Sequence, residues 1–85
     1  MDYVYILKCA DDTLYTGWTT DPKNRLTAHS SGNGAKYTRS RLPVEMVYCE
    51  ECPDKSYALK REREIKKMSR AGKLQLISIK KRISE

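Results

Sequence analysis

Tyr3–Gly17, reading YVYILKCADDTLYTG, contains two short apolar runs that each carry tyrosine, separated by Ala10-Asp11-Asp12-Thr13. Acidic and small residues between two β-rich runs are turn chemistry, so the stretch reads as a β-hairpin, with strands over Asp2–Cys9 and Thr13–Thr19. Successive strand side chains point to opposite faces, which puts Tyr3 and Tyr5 on one face and Val4 and Ile6 on the other. One face is aliphatic. The other shows phenols from both strands, as expected of half-wet packing or of a surface that handles a polar ligand. Trp18, near the end of the second strand, reads as a core or rim anchor before a ligand-stacking group.

Working outward, Thr20-Asp21-Pro22 pairs a capping side chain with proline at a first helical position, predicting a helix over Pro22–Ser31 that stops at Gly32. Arg25 and His29 lie four residues apart on one face of it, beside Leu26. Taken alone, each is an ordinary helix residue; together, aimed at a tyrosine-bearing hairpin, they become candidates for chemistry. Gly32-Asn33-Gly34 then reads as a flexible break before the loop Ala35-Lys36-Tyr37-Thr38-Arg39-Ser40-Arg41. Lys36 and Arg39 suit phosphates and Tyr37 suits stacking on a base, against the plainer reading of a basic surface loop.

Pro43 leads into a third strand, Val44–Cys49, with Val44, Met46 and Tyr48 on one face. Pro53-Asp54 opens a second helix over Lys55–Met68, whose apolar stripe is Ala58, Ile65 and Met68. Glu62 falls on that stripe. A carboxylate there must be paired, neutralised or metal-bound, because burying it alone is costly, and an ion pair with Arg25 is the structural alternative. The opposite face carries Lys60, Arg63 and Lys67, with Arg61 and Lys66 at its edges. After an interruption at Ser69–Gly72, Lys73–Arg82 reads as a third helix with Leu74 and Ile77 inward, and 79–85 as a frayed tail.

Eighty-five residues make one domain, 1–85 with its core over about 2–78, too small to bury much more than about 60–65% of its unfolded surface. Lys and Arg number 17 against 11 Asp and Glu, a net charge of +6, which favours polyanionic partners, nucleic acid first, although solubility alone is a sufficient reason for such an excess. No apolar run is long enough for a membrane span and no signal segment opens the chain, so a cytoplasmic protein is expected. Cys9, Cys49 and Cys52 are odd in number and irregular in spacing, which reads as reduced thiols; Cys49-Glu50-Glu51-Cys52 without a second pair is a poor zinc site. Phosphate-cradling P-loop, dinucleotide and zinc-finger patterns are all missing from the sequence.

Tyr3-Val4-Tyr5 and Tyr15-Thr16-Gly17, followed by Arg25, His29, Gly34–Arg39 and Glu62 within ALKREREIK, resemble the ordered motifs of the GIY-YIG nuclease superfamily and its small stand-alone bacterial members, from Tyr3 to about Ile77. The resemblance implies an α+β fold: a three-stranded antiparallel sheet flanked by helices, in the order β-β-α-β-α-α. It also implies a DNA endonuclease using one Mg²⁺ (or Mn²⁺) ion held by Glu62, with Arg25 clamping the phosphate, Tyr5, Tyr15 and His29 moving a proton from water, and Gly17 allowing close approach. The expected nucleic-acid contacts are Lys36, Tyr37, Arg39, Lys66 and Lys67. Duplex, branched or flap DNA, in repair or recombination, is the expected substrate; RNA stays open, and a partner protein would supply specificity. Two departures stand out: the first motif is Tyr-Val-Tyr, and the late asparagine of many catalytic members has no counterpart, since Asn24 and Asn33 both come before Glu62. A nucleic-acid-binding module without turnover is therefore the alternative, and an interaction domain recruited by a partner the third reading.

Overall fold

In the computed structural model, which describes residues 1–84 and the last four of these as backbone, the hairpin closes as its chemistry dictates. Strand β1, Asp2–Lys8, pairs antiparallel with β2, Leu14–Thr19, placing Tyr5 opposite Gly17 and Leu7 opposite Tyr15. The turn works because Asp12 takes a left-handed conformation (φ 66°), which a short polar side chain tolerates. Asp11 accepts from the backbone and hydroxyl of Thr13 at 3.2 and 2.6 Å.

Strand β3, Glu45–Cys52, pairs antiparallel with the free edge of β1, so the sheet order is β2-β1-β3. It starts one residue after the expected Val44 and runs three past the expected end at Cys49. A register shift between Ile6 and Leu7 sets Tyr48 opposite Ile6 and Met46 opposite Leu7. Ile6 and Leu7 face opposite ways, so Met46 and Tyr48 do too. The expected shared face of Val44, Met46 and Tyr48 is thus broken by a bulge, which sequence alternation does not register. On the same strand, Cys49 pairs with Tyr5 and Cys52 with Asp2, so these two thiols point to opposite faces.

As the middle strand, β1 is buried on both sides: Val4, Ile6 and Leu7 are fully enclosed. The Val4/Ile6 face packs with Tyr48, Cys52 and two helices, α3 (Lys55–Lys66) and α4 (Arg70–Ser84), through Ala58, Ile65, Leu76 and Ile77, with Met68 of the link between the helices packed there too. Trp18 packs on this cluster, in the expected anchoring role. The Tyr5/Leu7 face meets α1 (Pro22–Ser30) and a single turn, α2 (Lys36–Arg39), inside what reads as a loop. The expected order β-β-α-β-α-α holds, with that one turn added between α1 and β3.

Side-chain caps open the first two predicted helices, α1 and α3. Asp21 accepts from Asn24 N with Pro22 at the first helical position, and Asp54 accepts from Tyr57 N at 2.8 Å. Helix α3 ends at Lys66, before the expected Met68. Helix α4 begins at Arg70 rather than Lys73 and continues to Ser84, with Glu85 outside the described residues. Leu74 is not among its packing residues; it is 45% exposed, and Leu76 takes the inward place beside Ile77. Among the described residues, no helix is long and apolar enough to cross a membrane.

Candidate active site

Tyr5 and His29 meet at the centre of the α1-covered face. The phenol oxygen and imidazole Nε2 are 3.0 Å apart, and the residues are 2% and 1% exposed. Strand β1 brings the phenol and the last turn of α1 brings the ring. Two glycines make the space. A β-carbon on Gly17 would fall 2.5 Å from the Tyr5 oxygen, and one on Gly34 would overlap His29 Nδ1 and Cγ. The close approach that Gly17 allows is that of the Tyr5 ring to its backbone.

Tyr15 completes the cluster, its ring centre 6.5 Å from that of Tyr5 and 5.4 Å from that of His29. Tyr37, on α2, stacks on Tyr15 at 5.9 Å with 27° between the planes. The Arg41 guanidinium lies 4.0 Å over the Tyr37 ring, donating from Nε to Asp11 at 3.0 Å and from a terminal nitrogen to the Tyr37 carbonyl at 2.8 Å. Base stacking on Tyr37 thus competes with an arginine and a tyrosine already in place. Nothing in the loop's sequence pattern marks Arg41 as the cation that covers this ring.

Electrostatics keep the buried pair neutral. Burial, then the neighbouring Tyr15 and the Glu62 charge, push the Tyr5 phenol well above its ordinary range, while Arg25 pulls it back. Burial first, and Arg25 second, push His29 below its usual value. Arg25 and Glu62 therefore both act on the Tyr5 phenol through space, although neither bonds to it. Arg25 is exposed, one turn before His29, on the wall of a depression of about 280 Å³ shared with Thr19, Asp21 and Asn24.

Glu62 is partly buried (side chain 20% exposed), and Lys66, one turn along α3, approaches its Oε2 at 3.4 Å. That is its ion pair, in place of the one with Arg25 weighed from the sequence. Lys36 and Arg39 are exposed on α2, and Lys66 and Lys67 are exposed at the end of α3. Lys36 and Arg39 flank Tyr37 and Thr38 on α2, whereas Lys66 and Lys67 follow Glu62 at the end of α3. Neither Thr38 nor Gly34 stands out in the sequence beyond its place in the Gly34–Arg39 run. Thr38 is fully buried against His29, yet a lone hydroxyl inside a basic stretch has no periodic signature. Gly34 looked like plain flexibility.

Residues 1–75 match the GIY-YIG catalytic domain. The chain belongs to the GIY-YIG family. Its relatives include a UPF0213 protein of Syntrophus aciditrophicus, 61% identical over 89% of this chain and 88% of that one. Another from Clostridium perfringens is 58% identical over 94% and 86%. Among solved structures, a UPF0213 protein from Bacillus halodurans superposes with a TM-score of 0.62 at 49% identity, over 94% of this chain and 86% of that chain. These relatives carry a family label and no stated reaction. GIY-YIG domains are nuclease domains, act on nucleic acid and generally use a divalent metal.

The donor set around Glu62 bears on which metal fits this GIY-YIG site. No group of three or more His, Cys, Asp or Glu side chains is poised to hold an ion among the described residues. A single carboxylate is a poor cage for zinc, but it suits Mg²⁺, which keeps waters and takes substrate phosphate oxygens.

Proposed function

We propose that this GIY-YIG chain is a Mg²⁺-dependent DNA endonuclease whose proton relay is the buried Tyr5–His29 pair. The observation that carries the reading is the 3.0 Å contact between a phenol and an imidazole, both neutral, enclosed beside Tyr15 and within the fields of Arg25 and Glu62. An enclosed pair of this kind, packed beside the Tyr15 ring, suits a general base better than a surface made only for binding.

A water oxygen attacks phosphorus as the P–O3′ bond breaks. The water proton passes to the Tyr5 oxygen while the phenol proton moves to His29 Nε2, and the departing 3′ oxygen takes a proton from solvent. Arg25 holds the phosphate and balances its growing negative charge with a permanently charged planar fork. Glu62 would hold the metal, which supplies Lewis-acid stabilisation of the phosphoryl oxygens. For Glu62 to do so, the Lys66 ammonium moves to a phosphate. Lys36, Arg39 and Lys67 track the backbone, with Tyr37 free to stack once Arg41 leaves its ring. With so little surface for base readout, branched or flap DNA in repair or recombination is the substrate class, and a partner protein supplies specificity. A cytoplasmic setting fits the free thiols Cys9, Cys49 and Cys52.

The Lys66–Glu62 ion pair favours the second reading, a binding module without turnover, because it occupies the carboxylate that a metal needs. Both readings meet in one assay. Single-stranded, duplex, flap and branched DNAs are incubated with Mg²⁺ and the parent chain, Glu62→Gln or Arg25→Ala. The nuclease reading expects cleavage by the parent and a loss of roughly 10²- to 10³-fold or more in each folded variant. Salt-sensitive binding without cutting by the parent selects the binding module.

A further inference from the structure

Beneath the Tyr5–His29 pair lies a third buried group that the relay above does not use. Thr38 Oγ1 is 2.8 Å from His29 Nδ1, and Thr38 is wholly enclosed. The same hydroxyl donates to the Ala35 carbonyl at 3.0 Å, three residues back across the single turn of α2. A hydroxyl has one hydrogen. With that hydrogen on a carbonyl, which can only accept, Oγ1 turns a lone pair towards Nδ1, and a good contact requires Nδ1 to carry a hydrogen. The Ala35 N–H also points at Nδ1, but at 3.4 Å it is the longer and weaker approach.

We propose that Thr38 is the positioning residue of this site, its hydroxyl holding His29 as the Nδ1–H tautomer so that the Nε2 lone pair faces the Tyr5 hydroxyl. Its use in turnover rests on the nuclease reading; the tautomer does not. In the opposite tautomer, Nε2–H donates to the phenol oxygen, the Tyr5 hydrogen turns away, and the imidazole's lone pair sits on Nδ1, facing Thr38 and out of the phenol's reach. Gly34 bears on the same point. A side chain there would drive the ring off Thr38, because the position of its β-carbon overlaps the very nitrogen that Thr38 engages. The chain of donors is thus Tyr5 to His29, His29 to Thr38 and Thr38 to the Ala35 carbonyl, and the long Ala35 N–H approach to Nδ1 is the contact it gives up.

His29 is the only histidine in the chain, so ¹⁵N-detected imidazole spectra of the full-length protein read one ring without ambiguity. The parent is expected to show protonated Nδ1 and bare Nε2. Thr38→Val keeps the shape and removes the acceptor, and should move the ring towards Nε2–H; Thr38→Ser keeps the hydroxyl and should restore the parent pattern. In cleavage assays Thr38→Val should lower kcat by roughly 10- to 100-fold with KM little changed, and Thr38→Ser should recover it. A parent showing Nε2–H overturns the proposal even if the valine variant fails to fold. So does a folded Thr38→Val that keeps Nδ1–H. A parent with Nδ1–H that cuts no DNA supports the tautomer assignment and overturns the nuclease reading alone.

Discussion

Two missing β-carbons and two neutral rings account for much of the candidate site at the scale of single residues. At Gly17 an added carbon meets the end of the Tyr5 ring, and at Gly34 it meets the His29 ring and, at 2.8 Å, the His29 Cα, which cannot rotate away. Gly17→Ala and Gly34→Ala should each cost about 1–3 kcal/mol in denaturant unfolding, the overpacking range, and each should displace the relay. Tyr5→Phe keeps the ring but strands His29 Nε2; we expect a loss of about 1–3 kcal/mol in stability and of roughly 10²- to 10⁴-fold in cleavage.

His29 also sets a pH dependence. Burial holds its folded pKa below the ordinary 6.5, so the unfolded chain binds the extra proton first as pH falls. The stability of the neutral buried ring is fully present above about pH 6.5 and is lost as pH drops towards the lower folded value, with a slope of at most about 1.4 kcal/mol per pH unit. Urea unfolding at pH 7.5 and 5.5 should show this loss in the parent and a smaller one in His29→Gln. An equal loss in both would place the titrating group elsewhere.

At the scale of elements, helix placement follows from side chains that differ in what they bury. On α3, Ala58 and Ile65 are wholly enclosed against the sheet, so Ile65→Ala should cost about 2–5 kcal/mol by urea or thermal unfolding. On α4 the outward turn of Leu74 predicts that Leu74→Ala costs less than about 1 kcal/mol in the same assay. An equal cost at both positions would contradict the packing described. The added turn α2 has a different logic: it holds Thr38 under the histidine and Tyr37 over Tyr15, with Arg41 tying it to the hairpin turn through Asp11.

The whole molecule carries a net charge of +6, and Lys36, Arg39, Lys66 and Lys67 are exposed. If these four and Arg25 each neutralise one phosphate of a duplex, log K should fall against log salt with a slope of about −4 to −5. Replacing Lys36 and Arg39 with alanine should reduce that slope by about 2, read by fluorescence anisotropy between ~50 and ~200 mM salt. A slope unchanged by those substitutions would move the DNA to another face.

The hairpin, the capped starts of α1 and α3, the α3 stripe and the family motifs were legible along the chain because local chemistry and short periods specify them: turn residues between β-rich runs, Asp before a helix, apolar residues every three or four positions. Tyr5, Tyr15, Arg25, His29 and Glu62 became candidates through the family resemblance; the period itself only puts Arg25 and His29 on one helix face and Glu62 on the apolar stripe. Tertiary packing governed the rest. The β3 bulge that parts Met46 from Tyr48, the exposure of Leu74, the covering of Tyr37 by Arg41, the Lys66 partner of Glu62, and the burial of Thr38 under His29 all depend on segments distant in sequence or on a single unpatterned residue. Periodicity assigns a side chain to a face. What that side chain meets is set by the element folded against it.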